Sequence, residues 1–139
     1  MSKIAVVFWS GTGNTETMAN AVAEGAAAKG AEVETVQAAD FSAAMAPDFD
    51  AIAFGCPAMG SEELEDGEFQ PMWDDVKPEL DGKKIALFGS YDWGTGEWMD
   101  TWREDAEDAG ATVVDTVIAN NEPDDEALAA CSELAGQLL

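Results

Sequence analysis

Short apolar runs alternate along the chain with longer stretches in which apolar residues recur every three or four positions. Ile4–Trp9, Val33–Val36, Ala51–Gly55, Ile85–Gly89 and Val113–Ala119 are apolar without strict alternation, which predicts five strands buried on both faces. Between them lie helical patterns. Thr15–Lys29 places Met18, Val22 and Ala26 on one face and stops at Gly30. Phe69–Lys77 does the same with Phe69, Met72, Trp73 and Val76 and stops before Pro78. Glu97–Ala109 carries Trp98, Trp102 and Ala106 and stops at Gly110; Asp124–Leu138 carries Leu128, Cys131, Leu134, Ala135 and Leu138. A weaker helical pattern covers Phe41–Met45. Strand followed by helix, repeated throughout, predicts an α/β fold, a parallel sheet covered on both faces. Ligands of such sheets bind at the carboxyl ends of the strands, so the loops after strands one, three, four and five are the ones to search.

The loop after the first strand is Ser10-Gly11-Thr12-Gly13-Asn14-Thr15, and it opens the first helix. Its glycines permit tight turns, and its backbone N–H groups, hydroxyls and amide converge on a helix N-terminus. That is the chemistry of a phosphate site. The loop has no Lys or Arg, so it is not a GxxxxGK[ST] nucleotide loop, and its glycine spacing is not GxGxxG. A neutral loop suits a single terminal phosphate.

Composition narrows the function further. The 139 residues suit one domain, 1–139, and 47% of them are hydrophobic, enough for a sizeable core. Six Lys plus Arg against 29 Asp plus Glu give a net charge of −23, which repels nucleic acid and anionic lipid. Basic docking patches on other proteins would be attracted; solubility or salt tolerance is the other reading of the same acidity. There is no His, and Cys56 and Cys131 form no metal or CxxC motif, so they read as buried free thiols with no metal site. No run approaches the ~18–20 apolar residues of a membrane span, and the start of the chain lacks an export signal. A cytoplasmic monomer is the expectation.

SGTGNT after an apolar strand resembles the FMN phosphate loop of flavodoxins. Gly55-Cys56-Pro57-Ala58-Met59-Gly60-Ser61-Glu62-Glu63-Leu64 and Gly89-Ser90-Tyr91-Asp92-Trp93-Gly94-Thr95-Gly96-Glu97-Trp98-Met99 are similar to the two flavin-ring loops of the short-chain subgroup, the clostridial and Megasphaera-like members. The resemblance runs nearly end to end. It implies a three-layer sandwich with a five-stranded parallel sheet in the order 2-1-3-4-5, and FMN at the point where strand order reverses.

The resemblance also implies roles. Ser10, Gly11, Thr12, Gly13, Asn14 and Thr15 would hold the phosphate. Trp93, set between Gly94 and Gly96 rather than on a helical face, would stack on one side of the ring. Met59 would lie against the other side, unless it is ordinary core. Pro57 and Ala58 precede it in the same loop. The Gly60-Ser61 peptide would turn over on one-electron reduction, its carbonyl accepting a hydrogen bond from the proton gained at N5. Glu62 would bind N3–H, or else belong to a solvated acidic loop. Ser90, Tyr91, Asp92 and Gly94 would meet the ribityl chain and pyrimidine edge. Asn121 would close the site from the side or cap the last helix. Asp92 departs from the family's usual Gly and brings a negative charge to that edge.

The acid is concentrated beside these loops: seven carboxylates in Ser61–Asp75 with no base, and seven in Asp92–Asp108 with only Arg103. A charge ~10 Å from an anionic reduced ring disfavours it by roughly 0.4 kcal/mol in water, or roughly 20 mV for one electron. The expectation is a low-potential one-electron carrier working between the one- and two-electron-reduced levels. Its partners would be redox proteins with basic patches, a reductase or an oxidoreductase. The alternative is an FMN-dependent NAD(P)H or quinone oxidoreductase, for which no catalytic acid or base is evident. A receiver domain is excluded by Trp9-Ser10 and Gly55-Cys56, where it needs acids. A phosphatase of this topology is excluded by a first loop without Cys or Arg.

Overall fold

A computed structural model describes residues 3–11, 13–59, 63–91 and 96–139. In chain order the elements are β1 (Lys3–Phe8), α1 (Asn14–Ala28), β2 (Glu32–Gln37), β3 (Ala51–Gly55), α2 (Phe69–Val76), β4 (Lys84–Tyr91), α3 (Glu97–Asp108), β5 (Thr112–Asn120) and α4 (Asp125–Gln137). The five strands form one parallel sheet in the order β2-β1-β3-β4-β5. The expected architecture and order are therefore observed.

Alternate side chains of each central strand enter different cores, as the pleat requires. Ala5, Val7, Ile52, Phe54, Ile85 and Leu87 pack with Phe69, Trp73, Trp98 and Trp102 of α2 and α3. Ile4, Val6, Phe8, Ala53, Ala86 and Phe88 pack with Met18, Val22, Cys131 and Leu134 of α1 and α4. The α2/α3 side is an aromatic stack: Trp73 stands edge-on to Phe54 at 5.2 Å and to Trp102 at 5.7 Å. The strands are not equally buried. β2 is a sheet edge, and of its residues only Val36 is buried, so its glutamates face water.

One local expectation is corrected. Phe41–Met45 is not a helix; residues 43–45 form a turn between 3₁₀ turns at Ala38–Asp40 and Ala46–Asp48. The Asp75 carboxylate accepts the Ala43 N–H at 2.9 Å, while Phe41 and Phe49 are drawn into the core. These anchors outweigh the helix propensity of an Ala-rich stretch. The α2 helix does stop before Pro78, at Val76, and Lys77–Glu79 follow as a 3₁₀ turn, where a proline near the start loses no hydrogen bond.

Candidate functional site

Three central strands end side by side. The Trp9 N–H donates to Gly55 O at 3.0 Å, Cys56 N–H to Phe88 O at 3.1 Å, and Ala58 N–H to Ser90 O at 3.0 Å. The loops leaving these strands therefore start from one rigid edge. Gly13 sits at the N-cap of α1 with φ 95°, a left-handed conformation that side chains resist. Ser10 stabilises the turn by accepting the Gly13 N–H on its hydroxyl at 3.1 Å. Thr15 and Ser90, 1% and 5% exposed, pair their hydroxyls at 3.2 Å, joining the start of α1 to the end of β4.

A cleft of about 240 Å³ opens here, lined by Trp9, Gly11, Asn14, Pro57, Ala58, Met59, Ser90, Tyr91 and Asn121. Among these described residues none is charged. One end offers the helix start, Asn14 and the Thr15–Ser90 hydroxyls. The other offers Met59, a residue 38% exposed, and the Tyr91 ring, which leans on Trp98 at 5.5 Å. A donor-rich, cation-free end suits a phosphate monoester, and the apolar remainder suits a flat ring.

The loop after β3 is held at its base. Met59 and Glu63 exchange backbone hydrogen bonds at 2.8 and 2.9 Å, with three residues between them. Glu65 then turns its carboxylate under the start of α2 and accepts from Gly67, Glu68 and Phe69 N–H at 2.6, 2.7 and 2.8 Å. Burial alone would raise its pKa, but the three donors outweigh burial and hold the carboxyl below the usual glutamate range. Cys56 is fully buried beneath the loop. Burial pushes its thiol far up despite an N–H donated to sulfur by Glu65 at 3.3 Å. Cys131 is also a buried free thiol.

Of the residues singled out from sequence, Gly11, Asn14, Pro57, Ala58, Met59, Ser90, Tyr91 and Asn121 line one cleft, with Ser10, Gly13 and Thr15 bonded around its phosphate-like end. Thr12, Gly60, Ser61, Glu62, Asp92, Trp93 and Gly94 lie outside the described residues. Asn121 does not cap the last helix. Asp124 does, accepting the Ala127 N–H at 2.8 Å, whereas Asn121 takes φ 58° and donates its N–H to Tyr91 O at 2.6 Å. Trp9, which the sequence pattern places at the end of a strand, also walls the cleft. A bulky aromatic with a polar tip, next to Ser-Gly at a strand end, is the signal that marks it.

The flavodoxin family model matches residues 6–134. The chain is 53% identical over 121 residues to a flavodoxin of Megasphaera elsdenii, covering 87% of this chain and 88% of that one. It is 44% identical to a flavodoxin of Clostridium beijerinckii, covering 86% and 88%. The solution structure of two-electron reduced Megasphaera elsdenii flavodoxin superposes with a TM-score of 0.90 at 50% identity, over 97% of each chain. Motifs, strand order and relatives agree: the chain belongs to the flavodoxin family, FMN-binding proteins that carry electrons and are not enzymes.

Proposed function

We propose that this chain, acting as a single domain and a monomer in the cytoplasm, carries electrons singly and at low potential with FMN held in the cleft at the ends of β1, β3 and β4. The observation that carries this reading is the convergence of three strand ends on a niche of neutral donors, the α1 start and the Thr15–Ser90 hydroxyls, beside an apolar slot. FMN supplies the redox chemistry, because its ring accepts and returns electrons. The chain's own residues bind and orient it. Asn14, Thr15 and the loop N–H groups hold the phosphate without a counter-cation. Met59 covers one side of the ring. Thr12, Gly60, Ser61, Glu62, Asp92, Trp93 and Gly94 complete the site by family resemblance.

The same loops are flanked by carboxylates that make the surroundings hostile to added negative charge and give basic patches on redox partners a surface to meet. Among the described residues no helix is long and apolar enough to cross a membrane. The test is an anaerobic reductive titration of the FMN-loaded protein. Two separated one-electron steps, with a long-wavelength absorbance that rises and then falls, are expected, the second step lying below that of free FMN. Direct bleaching in one two-electron step would refute the single-electron reading. Failure to retain FMN would refute the site. Steady oxidation of NAD(P)H by the loaded protein alone would favour the oxidoreductase alternative.

A further inference from the structure

The Trp9 indole N–H donates to the Glu68 carboxylate at 3.0 Å, across 59 positions of sequence. The arrangement is built rather than incidental. Glu68 stands at the N-cap of α2, where a side chain ordinarily caps the helix, but it makes no capping bond. Glu65 has taken that role, and holds Glu68 in place through the Glu68 N–H at 2.7 Å. The Glu68 carboxylate is thereby left to reach Trp9. On its other side the indole lies over the phosphate loop: a Cβ built on Gly11 would meet Trp9 Cη2 at 3.0 Å. Trp9 is the partition between the cofactor cleft and a smaller recess of about 130 Å³ that contains Glu16 and Glu68.

We propose that the Trp9–Glu68 hydrogen bond sets the position of the phosphate loop, making Trp9 a positioning residue for the phosphate end of the cofactor; this rests on the reading that residues 10–15 hold the FMN phosphate. Physically, the indole does two things. It braces Gly11, at the start of the loop, against displacement. It also lines the recess that holds Glu16 and Glu68, satisfies Glu68 with its own N–H, and would separate both carboxylates from a phosphate held by the loop. Because the loop lacks a cation, its affinity depends on the alignment of weak donors, and alignment is what a brace controls.

The test titrates the full chain, freed of flavin, with FMN and separately with riboflavin, which has the ring but no phosphate. Wild type is expected to prefer FMN strongly; equal affinities would overturn the phosphate-loop reading itself, and this inference with it. Trp9→Phe keeps a ring over Gly11 but removes the donor, and Glu68→Ala removes the acceptor. Each is expected to weaken FMN binding about fivefold, the net size of one ordinary hydrogen bond, and to change riboflavin binding less than about twofold. Glu68→Gln keeps an acceptor at the same reach and should bind FMN within about twofold of wild type. The double variant Trp9→Phe/Glu68→Ala should be no weaker than either single one. Equal losses for FMN and riboflavin would mean that Trp9 serves only packing, and overturn the proposal. So would unchanged FMN affinity in all variants, or equal loss in Glu68→Ala and Glu68→Gln. If Trp9→Phe does not fold, the two Glu68 variants, whose side chain is on the surface, decide alone.

Discussion

Glu65 is the carboxylate on which the loop after β3 turns, and its removal has a magnitude that follows from its geometry. One oxygen accepts from Glu68 and Phe69, the other from Gly67. The residue is 9% exposed. A hydrogen bond to a charged acceptor contributes about 1.5–3 kcal/mol when its donor is sealed from water. Only the Phe69 donor is so sealed; Gly67 and Glu68 are exposed residues whose N–H groups water can reach. Glu65→Ala therefore should cost about 2–3 kcal/mol rather than three full bonds. Glu65→Gln keeps one oxygen for Glu68 and Phe69 but turns an NH₂ toward the Gly67 N–H, so about 1–2 kcal/mol is expected. For a chain of 139 residues, with about 3 °C per kcal/mol, Tm should fall by about 6–9 °C and 3–6 °C respectively.

The pH dependence fixes the cause. The folded chain binds the Glu65 proton less tightly than the unfolded chain does, because the three N–H donors favour the carboxylate over the opposing effect of burial. The contribution is therefore complete above the ordinary glutamate value of 4.5 and disappears as pH falls through the lower folded-state value. Denaturant unfolding of wild type and Glu65→Gln should give a constant difference above about pH 5 that narrows below it. Taking the difference cancels the other carboxylates, which titrate in both proteins. A difference under about 0.5 kcal/mol at neutral pH, within the range of an ordinary surface substitution, would refute the reasoning. So would a difference that widens in acid.

Other consequences follow from packing and charge. A Cβ on Gly89 would collide with the Cys56 carbonyl, a backbone atom that cannot rotate away; Gly89→Ala should cost about 3 kcal/mol or more and loosen FMN, and a denaturation midpoint within error of wild type would contradict this. The Cys131 thiol is pushed up by burial to about 12 and that of Cys56 is raised further, so neither should react with an aromatic disulfide at pH 8 until the chain unfolds; labelling of Cys56 in the native state would show its cover to be incomplete. With a net charge of −23 and two ion pairs among the described residues, Lys77–Asp105 and Arg103–Glu107, Tm should rise by at least about 3 °C between 0.1 and 1 M NaCl as self-repulsion is screened, and a flat profile would argue against repulsion as a destabilising force.

What could be read in the sequence were features governed by short-range periodicity. Apolar runs located all five strands, most clearly β1, β3 and β4, whose residues are almost all buried; Ala51–Gly55 matches β3 end to end, whereas the β4 run stops short of Ser90 and Tyr91, which continue pairing with β5. The helical faces carrying Met72, Trp73, Trp98 and Trp102 were legible for the same reason. Features set by distant neighbours were not. Nothing near Trp9 in sequence announces Glu68, and the acids of 61–75 looked alike until the fold put Glu65 beneath three backbone donors. The Phe41–Met45 expectation failed because local propensity was right about alanine and silent about Asp75.

That distinction changes how the acidity acts. Sequence alone treats the carboxylates around the flavin loops as one solvated field. In the fold many of them have assigned work: Glu65 caps α2, Glu68 accepts from Trp9, Asp74 from Gln70, Asp75 from Ala43, and Asp105 from Trp73 and Lys77. None lines the described part of the cleft. Their effect on a charge in the cleft is therefore exerted at a distance, summed over many small terms and open to screening by salt. Neutralising one bonded carboxylate disturbs a local structure before it disturbs the field, so single substitutions at Glu65 or Asp105 cannot measure the electrostatic contribution to the proposed low potential. Ionic strength can, since it weakens the field while leaving buried bonds such as Glu65 to Phe69 in place.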